Sequence, residues 1–83
     1  MNITEVRVRK VQFEGKTRAF ASVTFDDSFV VHDLRVIEGD RGLFVAMPNR
    51  RMPGGERQDI AHPLNNQMRG WIQEKVLQEY DRT

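Results

Sequence analysis

The chain has 83 residues, with 13 Lys and Arg against 12 Asp and Glu, a net charge of +1 and no cysteine. A length like this predicts one domain over 1–83, whose core hides only ~60–65% of the surface the unfolded chain exposes, so self-association is the expected further source of stability. The longest apolar run, Leu43–Met47, is five residues, which excludes a membrane-spanning helix; the start leads straight into strand-like sequence, and the lack of Cys agrees with a reducing cytoplasm.

Residues 3–13 predict the first strand, with Val6 and Val8 on one face and Arg7 and Arg9 on the other. The phase slips at Lys10, because Val11 and Phe13 then carry the apolar side, so a bulge or a strand end belongs there. Glu14-Gly15-Lys16 reads as a turn. Residues 17–25 alternate, with Ala19, Ala21, Val23 and Phe25 on one face and Arg18, Ser22 and Thr24 on the other, Phe20 being the exception. The two runs make a hairpin. Asp26-Asp27-Ser28 is the next turn.

Residues 29–37 predict a third strand, with Val30, His32, Leu34 and Val36 on one face and Phe29, Val31, Asp33, Arg35 and Ile37 on the other. A strand apolar on both faces near its ends is central in its sheet or lies in an interface. After the loop Glu38–Gly42, residues 43–47 form a fourth strand. A fifth, short one over 58–61 follows the Pro53-Gly54-Gly55 turn. His62-Pro63 disfavours helical geometry at His62. Asn65 is then the expected N-cap of a helix over 65–80, in which Met68, Ile72, Val76 and Tyr80 recur every four residues. Trp71 and Leu77 widen that apolar arc beyond what one small sheet needs, which suits a second subunit. Gly70 within it costs ~1 kcal/mol against Ala and suggests a close backbone approach. Strands followed by a single helix, without β–α–β alternation, give an α+β fold with an antiparallel sheet of four to five strands.

Charge is unevenly spread. Residues 1–24 carry Arg7, Arg9, Lys10, Lys16 and Arg18 against Glu5 and Glu14, whereas residues 26–40 carry Asp26, Asp27, Asp33, Glu38 and Asp40 against Arg35. Arg50, Arg51 and Arg57 stand against Glu56 in the central stretch. The pattern predicts an electrically two-sided molecule with basic strips at the first strands and the central loop. Arg50 and Arg51, held at the mouth of an apolar strand, suit phosphate recognition better than catalysis. Arg57 either closes the same patch or pairs with Glu56 or Asp59. Lys10, Arg7 and Arg9 either widen the strip or form a solvated strand face. On the helix, Asn66, Gln67, Arg69 and Lys75 are candidates for groove contacts, while Arg69, near the apolar arc, equally suits a structural bond to a carbonyl or to Asp59. Trp71 serves as a stacking platform, or as a buried or dimer contact.

Catalytic and metal chemistry find little support. Strand alternation puts His32 and Asp33 on opposite faces, and no Cys/His spacing or HExxH run is present. His62 fits a hydrogen-bonded corner between strand and helix, and the glycine pairs lack the Lys-Ser/Thr of a phosphate-cradling loop. No metal, cofactor or small-molecule substrate is expected.

Three ordered pieces, FVVHDLRVIEGDRGLFVAMP (29–48), RQDIAHP (57–63) and RGWIQEKVLQEY (69–80), together with TEVRVRKV and RAFASVTFDD near the start, resemble the stage V sporulation protein G (SpoVG) family of septation regulators. The likeness covers essentially the whole chain. It implies a small cytoplasmic homodimer that binds DNA, and in some cases RNA, as a regulator of septation and sporulation rather than as an enzyme. The family's basic motif after Ala-Met-Pro is typically Ser-Lys-Arg; here it is Asn49-Arg50-Arg51, which keeps both charges and adds a planar fork suited to a phosphate or a guanine edge. The resemblance thus assigns the nucleic-acid contact to Asn49, Arg50 and Arg51, with Arg57 and Lys10 as neighbours in the strip.

Overall fold

A computed structural model describes residues 1–12 and 15–83. Four strands, β1 (Ile3–Lys10), β2 (Thr17–Phe25), β3 (Phe29–Gly39) and β4 (Gly42–Ala46), form one antiparallel sheet in the order β1-β2-β3-β4. A separate hairpin of β5 (Asn49–Arg51) and β6 (Arg57–Asp59) follows, and then helix α1 (Asn66–Arg82). The first strand stops at Lys10, where the apolar phase slips. Phe13 and Glu14, expected to end that strand and begin its turn, lie outside the described residues.

The β2–β3 connection has three residues, Asp26, Asp27 and Ser28, and turns on the first two. Asp26 and Asp27 both take positive φ, 53° and 52°, and Ser28 N–H donates to Phe25 C=O at 2.9 Å. This left-handed pair matches the twist of the strands it joins. Asp26 Oδ1 accepts from Asn2 N–H at 2.9 Å, which ties the chain start to the turn.

The expected facing of β3 needs correction. Val23 pairs with Val31 but Ala21 pairs with Leu34, so Ser22 alone stands opposite His32 and Asp33. Asp33 takes φ 66°, the left-handed conformation that a short polar side chain tolerates in a bulge. The extra residue resets the alternation, so that Val31, Leu34 and Val36 turn to the core while Val30 and His32 are exposed.

Helix α1 lies across this inner face. Asn65 caps it, its side chain accepting from Met68 N–H at 2.7 Å. Ile72 and Val76 are buried against Ala19, Ala21, Val23, Phe25, Leu34, Val36, Val45 and Met47. Leu34, Val23, Val36 and Val76 are each less than 2% exposed, and burying a side chain of this kind contributes ~1.5–3 kcal/mol. Gln73 Oε1 accepts from Val45 N–H at 3.3 Å, so the helix occupies part of the open edge of β4. Gly70 faces solvent, and a Cβ there would meet nothing within 4 Å. The close approach expected at this glycine is therefore not made among the described residues.

Candidate nucleic-acid interface

The central stretch is a β-hairpin where a loop and one short strand were expected. Its base is anchored because Met47 and Pro48 are buried and Pro48 C=O accepts from Ile60 N–H at 2.7 Å. Its tip turns through Pro53-Gly54-Gly55, with Met52 N–H donating to Glu56 C=O at 2.7 Å and Gly55 at φ 88°. Three residues per arm are too few for alternation to show, but Pro-Gly-Gly within the five residues, 52–56, that part the arms is a usable hairpin signal.

The register decides which arginines act together. Asn49 pairs with Asp59, Arg50 with Gln58, and Arg51 with Arg57. The bonds at Met52/Glu56 and Pro48/Ile60 make Arg50/Gln58 a hydrogen-bonded position by alternation. Arg51/Arg57 then falls at the non-hydrogen-bonded position, where cross-strand side chains come closest. Arg51 and Arg57 share one face of the ribbon and Arg50 projects from the other. The cationic pair is thus Arg51 with Arg57, not the sequence neighbours Arg50 and Arg51.

Among the described residues no carboxylate lies within ion-pair distance of it. The ion pairs among the described residues join Arg7 to Glu5, Arg18 to Glu38 and Arg82 to Glu79, so Arg57 pairs with neither Glu56 nor Asp59. Arg50, Arg51 and Arg57 are all exposed. Asn49 acts on its neighbour. Its Oδ1 accepts from Arg57 Nη1 at 3.1 Å while its Nδ2 donates to Met47 C=O at 2.9 Å. The Asn49 side chain therefore orients Arg57 rather than presenting itself.

Arg69 in the helix joins the site. It lines an open groove of about 410 Å³ with Arg57, Gln58, Asp59 and His62. His62 Nδ1 bonds to Pro63 C=O at 2.9 Å, so the donating nitrogen is Nδ1 and Nε2 remains available. Asn66 and Gln67 are exposed in the first helical turn, while Trp71 and Lys75 are half-buried.

Lys10 is elsewhere. Its Nζ sits 4.5 Å from the centre of the Tyr80 ring and donates to Thr83 C=O at 3.2 Å, a cation at the negative end of the helix. Tyr80 is eleven residues beyond Arg69, or ~16 Å along the helix axis. Arg7 and Arg9 point away from the helix on the outer sheet face, Arg7 in contact with Glu5 at 3.0 Å. The structure sets Asn49 and Arg51 beside Arg57, puts Arg69 in a groove with Arg57, keeps Arg50 on the opposite side of the same ribbon, and leaves Lys10 out.

Comparison with known proteins finds relatives along nearly the whole chain. The SpoVG family model matches residues 1–82. A Staphylococcus carnosus SpoVG protein, whose name links it to septation, is 59% identical over 83 residues, covering all of this chain and 78% of its own length. A Clostridium perfringens protein of the same name is 57% identical over 82 residues, covering 99% of this chain and 91% of its own. One from Staphylococcus aureus is 57% identical over 83 residues, with 83% of its length covered. The chain belongs to the SpoVG family.

Proposed function

We propose that the chain acts in the cytoplasm as a homodimer that binds nucleic acid, DNA and in some settings RNA, and regulates genes in the septation and sporulation setting of its family. The observation that carries this reading is the Arg51/Arg57 pair. Like charges directly opposite on a ribbon are destabilising by ~0.2–1 kcal/mol, and a two-stranded hairpin standing alone is marginal. A phosphate placed between the two guanidiniums turns repulsion into two charge-assisted hydrogen bonds. A two-stranded ribbon is also one of the elements that the major groove of B-DNA admits. Arg51 and Arg57 on one face and Arg50 on the other let a ribbon so placed touch both flanks of the groove. Arg69 extends the grip from the helix.

Self-association doubles the number of phosphate contacts, which tightens binding and steepens its salt dependence. Apolar side chains outside the core leave surface for it: Met1, Phe29, Ile60 and Leu64 are 64–92% exposed, and exposed apolar surface marks an interface where it is contiguous. The test is electrophoretic mobility with two double variants, Arg50→Ala with Arg51→Ala and Arg51→Ala with Arg57→Ala, alongside sedimentation. Strong loss of DNA binding by a folded dimer is expected. Retained binding rejects the assignment, and a monomeric wild type rejects the dimer.

A second reading, a protein-interaction module without nucleic acid, is favoured by a different feature. An apolar cleft of about 150 Å³ opens between sheet and helix, lined among others by Phe25, Phe29, Val31, Met47, Pro63 and Ile72. Capture of a partner that survives nuclease treatment, with no shift of DNA probes, would select it.

A further inference from the structure

The sheet face turned away from the helix carries a second cationic surface. Arg9 on β1, Phe20 on β2, Arg35 on β3 and Ala46 on β4 are direct cross-strand neighbours. They form one row across all four strands. The guanidinium carbons of Arg9 and Arg35 lie 5.9 and 5.5 Å from the centre of the Phe20 ring. Cation–π contact with the ring therefore restrains both planes. Neither arginine is in an ion pair among the described residues. In the next row of the same face Ile37 pairs with Phe44, and Phe44 is 42% exposed. With ~4.8 Å between strands and ~3.3 Å per residue, Phe44 stands roughly 12 Å from Phe20.

The chemistry of this surface narrows what can cover it. Of the residues that line the groove beside Arg9 and Phe20, Asp33 alone is acidic, so a second copy seated here about a two-fold axis would bring one carboxylate to two guanidiniums on each side. An apolar partner would bury two guanidiniums without counter-charge, which is costly. A polyanion meets the charge. Among polyanions, a single nucleic-acid strand uses the rest of the surface as well, because its unpaired bases stack on aromatic faces and guanidinium planes. A duplex offers this face only phosphates and leaves Phe44 unused.

We propose that the outer sheet face, centred on Arg9, Phe20, Arg35 and Phe44, is a second binding site that takes a single nucleic-acid strand, phosphates on the two guanidiniums and a base on Phe44. Phe20 is a positioning residue that holds the two planes. The site shares no residue with the β5–β6 hairpin and does not depend on the hairpin's role.

The test is fluorescence anisotropy of the intact protein with an oligouridine of about ten nucleotides and a duplex DNA, each over a range of salt. Arg9→Gln with Arg35→Gln is expected to weaken oligouridine binding about tenfold or more and to flatten its salt slope by about 1.4, that is ~0.7 for each phosphate lost. Duplex binding should hold. Phe44→Ala is expected to weaken oligouridine binding about five- to a hundredfold with its slope unchanged. Arg9→Lys with Arg35→Lys keeps charge and fold, and should restore the slope but not the full affinity. Arg51→Ala with Arg57→Ala should do the reverse of the outer-face variant, weakening duplex binding and sparing oligouridine. Unchanged affinity and slope in the Arg9/Arg35 glutamine variant would overturn the proposal. So would an inert Phe44→Ala, a parallel loss of duplex binding, or polyglutamate binding as tightly as oligouridine, which would mark a general anion surface. Failure of the hairpin variant alone would refute the hairpin reading and leave this one standing.

Discussion

Arg51→Glu separates the folding role of the hairpin from its binding role, because the two should move in opposite directions. In the wild-type protein Arg51 faces Arg57 directly across the ribbon, and Arg57 is already held by Asn49 at 3.1 Å. Two unit charges about 6 Å apart in water interact by ~0.7 kcal/mol, and salt near physiological strength, with a Debye length of ~8 Å, cuts this to roughly 0.3. Glutamate at position 51 converts that repulsion into an attraction of similar size, a swing of about 0.7 kcal/mol, consistent with the small contributions of exposed ion pairs. Local opening of the hairpin should then become about threefold rarer, since ~1.4 kcal/mol is a factor of ten. Amide hydrogen exchange at Arg50 and Gln58, the hydrogen-bonded position of the ribbon, reads this directly. DNA affinity should meanwhile fall about tenfold or more, because two guanidiniums per ribbon face become one guanidinium and one carboxylate. Tighter DNA binding, or slower exchange with unchanged DNA binding, would refute the claim that this charge pair is kept for an anion.

Three further outcomes follow from the fold. Asp27→Gly should leave the melting temperature within a few degrees of wild type, because the left-handed conformation it relieves is one a short polar side chain already tolerates, and glycine gives back ~0.5–1 kcal/mol in backbone freedom lost on folding; calorimetry checks it, and a drop beyond ~4–8 °C, or more than ~1 kcal/mol, would show that the Asp27 side chain stabilises the turn. Gly70→Ala should add ~0.5–1 kcal/mol on chemical denaturation, since a Cβ there meets nothing within 4 Å; a loss of self-association or DNA binding in that variant would show that a partner lies against this turn of the helix. Gln73→Ala should cost ~1 kcal/mol by removing the acceptor from Val45 N–H, with exchange at that amide accelerated; an unchanged rate would show that the bond does not protect the edge of β4.

What the sequence showed was local. Asn65 reads as a cap from its own side chain and the helix it precedes, and Asp26-Asp27 reads as a turn from two short polar residues between apolar runs. The β3 bulge was hidden because nothing in Phe29–Ile37 marks Asp33 as left-handed. The pairing of Ala21 with Leu34 on one side and Val23 with Val31 on the other imposes it. The same slip invalidated the argument from alternation that His32 and Asp33 face opposite ways. At the candidate site the charges were visible but their partners were not. Arg50 and Arg51 are neighbours in sequence and therefore diverge on a strand, while Arg57 becomes Arg51's neighbour only through the hairpin register. Lys10 was grouped with the basic strip by composition, yet the last turn of a helix more than sixty residues later takes up its charge.

The central claim is that arginines on a projecting ribbon, duplicated by self-association, hold a polyanion. Salt titration of wild-type affinity for duplex DNA tests it most directly. Arg50, Arg51 and Arg57 in two copies would neutralise up to six phosphates, so log affinity should fall linearly with log salt at a slope of about −5, or ~0.9 per contact. A slope between zero and about −1 would contradict the account, because the arginines would then not be replacing counterions on a nucleic-acid backbone.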